Sequence, residues 1–253
     1  MKTLPIIKSN ISIGDYSEFI DELVTLSKNQ SSSYVCICNV HMLIEANDSE
    51  SFANIVNQAD MLTPDGKPVA KGLEWLHKIK QSRVAGMDLI ESLFERSAKD
   101  QLKLFLFGST EDVLAKMVEK AKNQFPNINI VGTLSPPFRE LSEQEKTDIV
   151  TEINVQNPDF VFVALGCPKQ EKWMAEHKGK VNACMIGLGG AFPVYAGTVE
   201  RSPDWMQRNG LEWLYRLYKE PGRLWKRYFY TNSKFIWLFS LQFVKTRVFN
   251  KKA

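Results

Sequence analysis

Much that would assign this 253-residue chain to a class at first reading is missing from it. Its four cysteines, Cys36, Cys38, Cys167 and Cys184, form no CxxC pair, so neither a disulfide scaffold nor a zinc ribbon is indicated. Cys36 and Cys38 alternate with Val35 and Ile37 in a strand-like run, and the thiols read as core side chains in reducing surroundings. Only three histidines occur, His41, His77 and His177, without HxxxH spacing, and there is no DxD triplet, so no metal site is expected. The P-loop pattern GxxxxGK(S/T) is absent, which removes the main support for phosphoryl transfer of that kind. A dinucleotide fingerprint starting at Gly187 would need glycine where Phe192 stands, so a nicotinamide-dependent oxidoreductase is disfavoured and no cofactor is expected. The longest uncharged run near the C-terminus, residues 235–244, is half of the roughly 20 needed to span a bilayer. Residues 1–8 are too short an apolar stretch for a secretory signal, and the expected location is cytoplasmic.

What is present is ordinary globular composition, 44% apolar and 24% charged, with 14 Gly and 11 Pro. The net charge of +3 conceals a division. Residues 201–253 hold 12 basic and 3 acidic side chains, a net of +9, which leaves −6 for residues 1–200. The same C-terminal stretch carries 13 of the 28 aromatics and four of the six tryptophans. An acidic body, 1–200, is thus followed by a basic, aromatic appendage, 201–253, with a different task.

Within the body, Phe19, Ile20, Leu23 and Leu26 recur at helical spacing over residues 15–26. Continuous apolar runs at 34–38, 102–107, 128–131, 160–165 and 181–188 then alternate with helical patterns at 111–125, 142–155 and 168–177. This alternation predicts an α/β fold with a doubly wound, mostly parallel, Rossmann-like sheet covered on both faces. Such sheets bind ligands beyond the carboxyl ends of their strands. Three strand-end loops stand there: Gly108-Ser109-Thr110, with Ser109 and Asp112 at capping-box-like spacing; Gly166-Cys167-Pro168-Lys169-Gln170-Glu171, with Pro168 suited to the first helical position; and Gly187-Leu188-Gly189-Gly190. Each is expected to offer free amides to phosphate oxygens, though Gly and Pro also serve simply to make tight turns.

Residues Pro64-Asp65-Gly66 set a carboxylate on a turn after a short apolar run. In order after it come Arg83-Val84-Ala85-Gly86-Met87-Asp88-Leu89, Phe107-Gly108, Gly166-Cys167-Pro168-Lys169-Gln170-Glu171-Lys172-Trp173 and Gly189-Gly190-Ala191-Phe192. Arg201-Ser202-Pro203-Asp204-Trp205, Gly210-Leu211-Glu212-Trp213-Leu214-Tyr215-Arg216 and Glu220-Pro221-Gly222-Arg223-Leu224 complete the series. Over about residues 10–230 the chain resembles the WecG/TagA/CpsF family of bacterial glycosyltransferases.

The resemblance implies an inverting, metal-independent enzyme that moves a sugar from a UDP donor to a polyprenyl-diphosphate-linked saccharide at the cytoplasmic membrane face. Surface polysaccharide or teichoic-acid linkage synthesis would be its setting. It implies Asp65 as general base, with Arg83, Gln170, Arg216 and Arg223 in the catalytic set. Asn39, Gly66, Gly108, Ser109, Gly166, Lys169, Glu171, Gly189, Gly190 and Arg227 are the expected substrate-binding residues. Two positions depart from the family pattern: Ile37 where threonine is common, and Pro193 where aspartate often follows the GGAF stretch. Donor identity among N-acetylmannosamine, its uronic acid and glucose therefore stays open, as do the acceptor sugar and a homo-oligomeric state. The rival reading is a non-catalytic, membrane-associated scaffold that binds a UDP-sugar.

In the appendage, Leu211, Leu214, Tyr215 and Tyr218 mark an amphipathic helix. Trp225, Tyr228, Phe229, Phe235, Trp237 and Phe239 interleave with Lys226, Arg227 and Lys234 further on. Aromatics with basic residues suit an anionic membrane surface, on which such a helix lies without crossing. Packing on the body is the competing reading, and nucleic acid is not an expected partner. Arg216, Arg223 and Arg227 share a face if one helix runs through Pro221, which can instead begin a second helix.

Overall fold

The computed structural model describes residues 1–29 and 31–249. The chain opens with an antiparallel hairpin, β1 (Thr3–Ile6) and β2 (Ser9–Ser12), followed by α1 (Tyr16–Lys28). Next come β3 (Ser33–Cys38), α2 (Val40–Asp48), α3 (Glu50–Asn57), β4 (Met61–Pro64), α4 (Lys67–His77) and α5 (Gly86–Asp100). The second half runs β5 (Lys103–Gly108), α6 (Glu111–Gln124), β6 (Asn129–Leu134), α7 (Glu143–Val155), β7 (Phe160–Ala164), α8 (Lys169–His177), β8 (Cys184–Gly187) and α9 (Ala191–Tyr195). Three helices close the chain: α10 (Asp204–Asn209), α11 (Glu212–Lys219) and the 29-residue α12 (Pro221–Phe249).

Strands β3 to β8 form one sheet in the order β4-β3-β8-β7-β5-β6, parallel throughout. Every residue of β3, β4, β7 and β8 is buried, which is why these strands read as unbroken apolar runs. The side-chain period of two sends Cys36, Cys38, Phe105, Phe107, Val161 and Val163 to one face and Val35, Ile37, Leu104, Leu106, Phe160 and Phe162 to the other. The first face is covered by the hairpin, α2, α3, α4, α7, α8 and Phe235 of α12. The second lies under α1, α5, α6 and α9, where Phe94 stacks on Phe162 at 5.6 Å and meets Tyr195 edge-on at 5.1 Å. The expected Rossmann-like α/β architecture is present, and all four cysteines are free thiols, three of them fully buried.

Two local expectations change, and one open alternative is decided. Thr110, not Ser109, caps α6: its Oγ1 accepts from the Val113 amide at 3.4 Å. Ser109 sits at φ 59, in the left-handed region, whereas a capping residue needs extended backbone. Pro168 is the cap of α8 and lies before its first turn. Pro221 begins α12, so Arg216 belongs to α11, and only Arg223 and Arg227 share a helix.

The expected amphipathic helix is α11, but none of its residues is buried, and Tyr218 is 80% exposed. α12 instead docks along the body. Leu224, Thr231 and Phe235 face inward, Ile7 donates its amide to Gln242 Oε1 at 2.7 Å, and Lys234 meets Asp48 at 2.6 Å. On its outer side Trp225, Phe229, Ile236, Trp237, Leu241 and Val244 remain exposed. Among the described residues no helix is long and apolar enough to cross a membrane.

Candidate active site

Connections leave β3 toward β4 at one sheet edge and leave β5 toward β6 at the other, with β8 and β7 filling the gap between. The strand ends at this reversal border the crevice where open α/β sheets take ligands. Asp65 lies on its β4 side. Its amide donates to Cys38 O at 2.9 Å, and Val84 N donates to Pro64 O at 2.9 Å, so the β4 end is tied both to Asn39 and to the segment that carries Arg83. Asn39 caps α2 by accepting from the Met42 amide at 3.2 Å, and its side chain favours the ionised form of the Asp65 carboxyl.

Asp65 is half-buried, and its carboxyl is pushed up to about 6. Withdrawal from water is the largest cause and the Glu212 carboxylate the next; Arg216, Arg83 and the Asn39 hydrogen bond oppose them. Gly66 follows at the head of α4.

Arg83 bridges two elements. It holds Asp88 at 2.7 Å and Glu212 of α11 in a close ion pair, and these carboxylates raise its guanidinium pKa against the cost of burial. Arg201 pairs with Asp88 and Glu91, adding a second tie between the appendage and α5. Arg216 Nη1 comes within 3.5 Å of where a side chain on Gly190 would begin. The appendage thus brings Glu212 and Arg216 to the strand-end loops beside Asp65.

Three of the expected free amides are engaged within the protein. Ser109 N donates to Ala164 O at 2.9 Å, Gly166 N to Gln170 Oε1 at 3.1 Å and Gly189 N to Val163 O at 3.1 Å. These amides leave the ends of buried strands, where unpaired backbone groups are costly, and so they are satisfied within the protein. Glycine is needed there for close approach: a Cβ on Gly108, at φ +103, would stand 2.5 Å from Ala164 O. A Cβ on Gly189, at φ +38, would stand 2.9 Å from Gln170 Oε1.

Gln170 is a buried wedge between the β7 and β8 loops. Its Oε1 accepts from Gly166, and its Nε2 donates to Glu171 Oε1 at 2.8 Å. Glu171, expected at the substrate, is 0% exposed, and its Oε2 has no partner among the described residues. Burial holds its carboxyl above the usual range. Lys169 projects outward from the first turn of α8.

Arg223 is not drawn into this cluster: it pairs with Glu220 at 2.6 Å and its side chain is 62% exposed. Arg227 approaches His41, whose pKa is lowered to about 4 by burial first and then by the guanidinium. Sequence reasoning passed over Glu212, His41, Lys67 and Arg208. Glu212 stands inside the Gly210–Arg216 motif, and Lys67 directly follows Gly66, so motif membership was the available signal. Beside Arg83 lies a pocket of about 320 Å³ lined by Lys67, Arg83, Asp204, Gln207 and Arg208. Among the described residues no group of three or more His, Cys, Asp or Glu side chains is placed to hold a metal ion.

A carboxylate poised to accept a proton, flanked by guanidinium groups at the strand ends of an α/β sheet, suits group transfer with an anionic leaving group. The chain belongs to the glycosyl transferase WecG/TagA/CpsF family, whose sequence model matches residues 4–249. It is similar to the N-acetylglucosaminyldiphosphoundecaprenol N-acetyl-beta-D-mannosaminyltransferase of Bacillus subtilis strain 168, with 34% identity over 228 residues, 88% of this chain and 84% of the relative. The protein of the same name from Bacillus spizizenii W23 is 31% identical over 229 residues, covering 90% of this chain and 87% of the relative. The protein is a glycosyltransferase.

Proposed function

We propose that the protein transfers N-acetylmannosamine from its UDP conjugate to N-acetylglucosamine linked through a diphosphate to a polyprenyl chain, with inversion, while seated on the cytoplasmic face of the membrane. Sugar and acceptor are those in the names of its two relatives. The observation that carries the mechanism is Asp65, a half-buried carboxylate with its pKa raised to about 6 between Arg83 and Arg216.

In this reading the acceptor hydroxyl oxygen attacks the anomeric carbon on the face opposite the diphosphate. Its proton passes to Asp65, the bond from the anomeric carbon to the diphosphate oxygen breaks, and UDP departs with the bonding pair. Arg216, beside Gly190, receives the charge that develops on the diphosphate. Gln170 keeps the β7 and β8 loops at fixed spacing beneath the donor. The outward aromatics of α11 and α12, with their basic neighbours, hold the enzyme at the membrane surface where the lipid acceptor lies.

A panel of UDP-sugars assayed against short polyprenyl-diphosphate-linked N-acetylglucosamine tests this, with the anomeric configuration of the product read by NMR. A β-linked N-acetylmannosaminyl product is expected. Asp65→Asn is expected to lower turnover by about 10² to 10⁴ while UDP binding persists. UDP binding without transfer from any donor would sink the catalytic reading in favour of a scaffold.

A further inference from the structure

The pocket of about 320 Å³ beside Arg83 belongs to none of the groups given a role above except Arg83 itself. One wall is the start of α4, where Lys67 stands two residues after Asp65; the opposite wall is α10, which supplies Asp204, Gln207 and Arg208. The Lys67 ammonium donates to the Arg208 carbonyl, closing the pocket at one end. Neither Lys67 nor Arg208 is ion-paired among the described residues, whereas Arg83 is already neutralised by Asp88 and Glu212. Two cations thus face a polar cavity with Asp204 as the acidic residue of its lining, a balance suited to a polyanion.

We infer that this pocket is the diphosphate subsite of the lipid-linked acceptor, with Lys67 and Arg208 as its ligands. The inference rests on the proposed transfer, and two observations favour the acceptor's diphosphate over the donor's. In an inverting displacement the base stands on the acceptor side of the anomeric carbon, and the pocket is lined by Lys67, two residues after Asp65, and by Arg83, whose charge acts on the Asp65 carboxyl. The α10 wall also carries Trp205, 59% exposed, so the cavity opens beside an outward aromatic of the membrane-facing appendage.

Two variants and two probes test it. Arg208→Gln removes an exposed guanidinium with little risk to folding; Lys67→Met keeps the apolar stem. With a farnesyl-diphosphate-linked N-acetylglucosamine acceptor, each is expected to raise the acceptor KM about tenfold or more, leaving the donor KM and the UDP dissociation constant within about twofold. Arg208→Lys should recover part of the loss. A raised UDP dissociation constant with unchanged acceptor KM would assign the pocket to the donor, and no change in either would remove it as an anion site; both overturn the inference. Direct titration with farnesyl diphosphate separates the subsite from the reaction. Binding to the wild-type chain that both variants lose supports the subsite even if no transfer is detected. Equal binding by all three proteins overturns it even if transfer proceeds.

Discussion

Asp65 holds its proton more tightly than a free aspartate because the folded chain withdraws it from water and sets Glu212 nearby, and the nearby arginines only partly offset this. In the proposed transfer the ionised form is the base, so activity should be lost as pH falls through about 6, with kcat/KM dropping roughly tenfold per unit below that point. Glu212 supplies part of the shift, and removing its charge must favour ionisation. Glu212→Gln should therefore move the acidic limb of the pH–rate profile to lower pH. A limb that stays in place or moves upward would show that Glu212 does not set the base. The same residue shows why motif reading stopped short: Glu212 was visible in its motif, but its effect on Asp65 arises only because α11 folds back onto the segment after β4. The amides of Ser109, Gly166 and Gly189 are engaged within the protein for a similar reason. Whether an amide is free depends on a carbonyl from a neighbouring strand or on Gln170, and local sequence carries no trace of that partner.

α12 carries apolar side chains on two sides, and these meet different surroundings. The inward side seats Phe235 in the core against the helices that cover the first sheet face, with Phe239 stacked on it at 5.6 Å. Phe235→Ala should cost about 3 to 5 kcal/mol, measured as a lowered urea midpoint at unchanged slope; a loss below about 1 kcal/mol would mean that α12 is only loosely seated. Among the elements, the buried strands and the helices α1, α6, α7 and α8 were legible because continuous apolar runs and a 3.6-residue repeat survive in the sequence, whereas α4 and α5 were not read as helices. The hairpin β1–β2 was not, since its turn is made by Ile7 at φ 57 where no glycine or asparagine marks it. The helices α2 and α3 also escaped, being short and divided only by Ser49, which caps α3 by accepting from the Phe52 amide at 3.3 Å.

For the whole molecule, the charge division and the outward aromatics act together. Trp225, Phe229 and Trp237 lie 52%, 73% and 65% exposed, so replacing them with serine should leave the thermal midpoint nearly unchanged. The triple variant should nonetheless lose binding to vesicles containing phosphatidylglycerol, read by sedimentation against pure phosphatidylcholine vesicles. Undiminished sedimentation would place the membrane contact elsewhere. These three substitutions separate the surface from the core, which removal of residues 201–253 cannot do, because that would also strip Phe235 and Leu224 from the body.

Strand order has a further consequence, for biosynthesis. β8, the last strand made, lies inside the sheet between β3 and β7, so Val35 waits for Ile186 before that ladder can close. Until β8 is made, β3, and β7 once residues 160–164 have been translated, each present an unpaired inner edge, open to pairing with other chains. Pairings so distant in sequence form slowly. Cooperative closure of the sheet thus falls in the last quarter of synthesis, and the nascent chain depends until then on protection of those two edges.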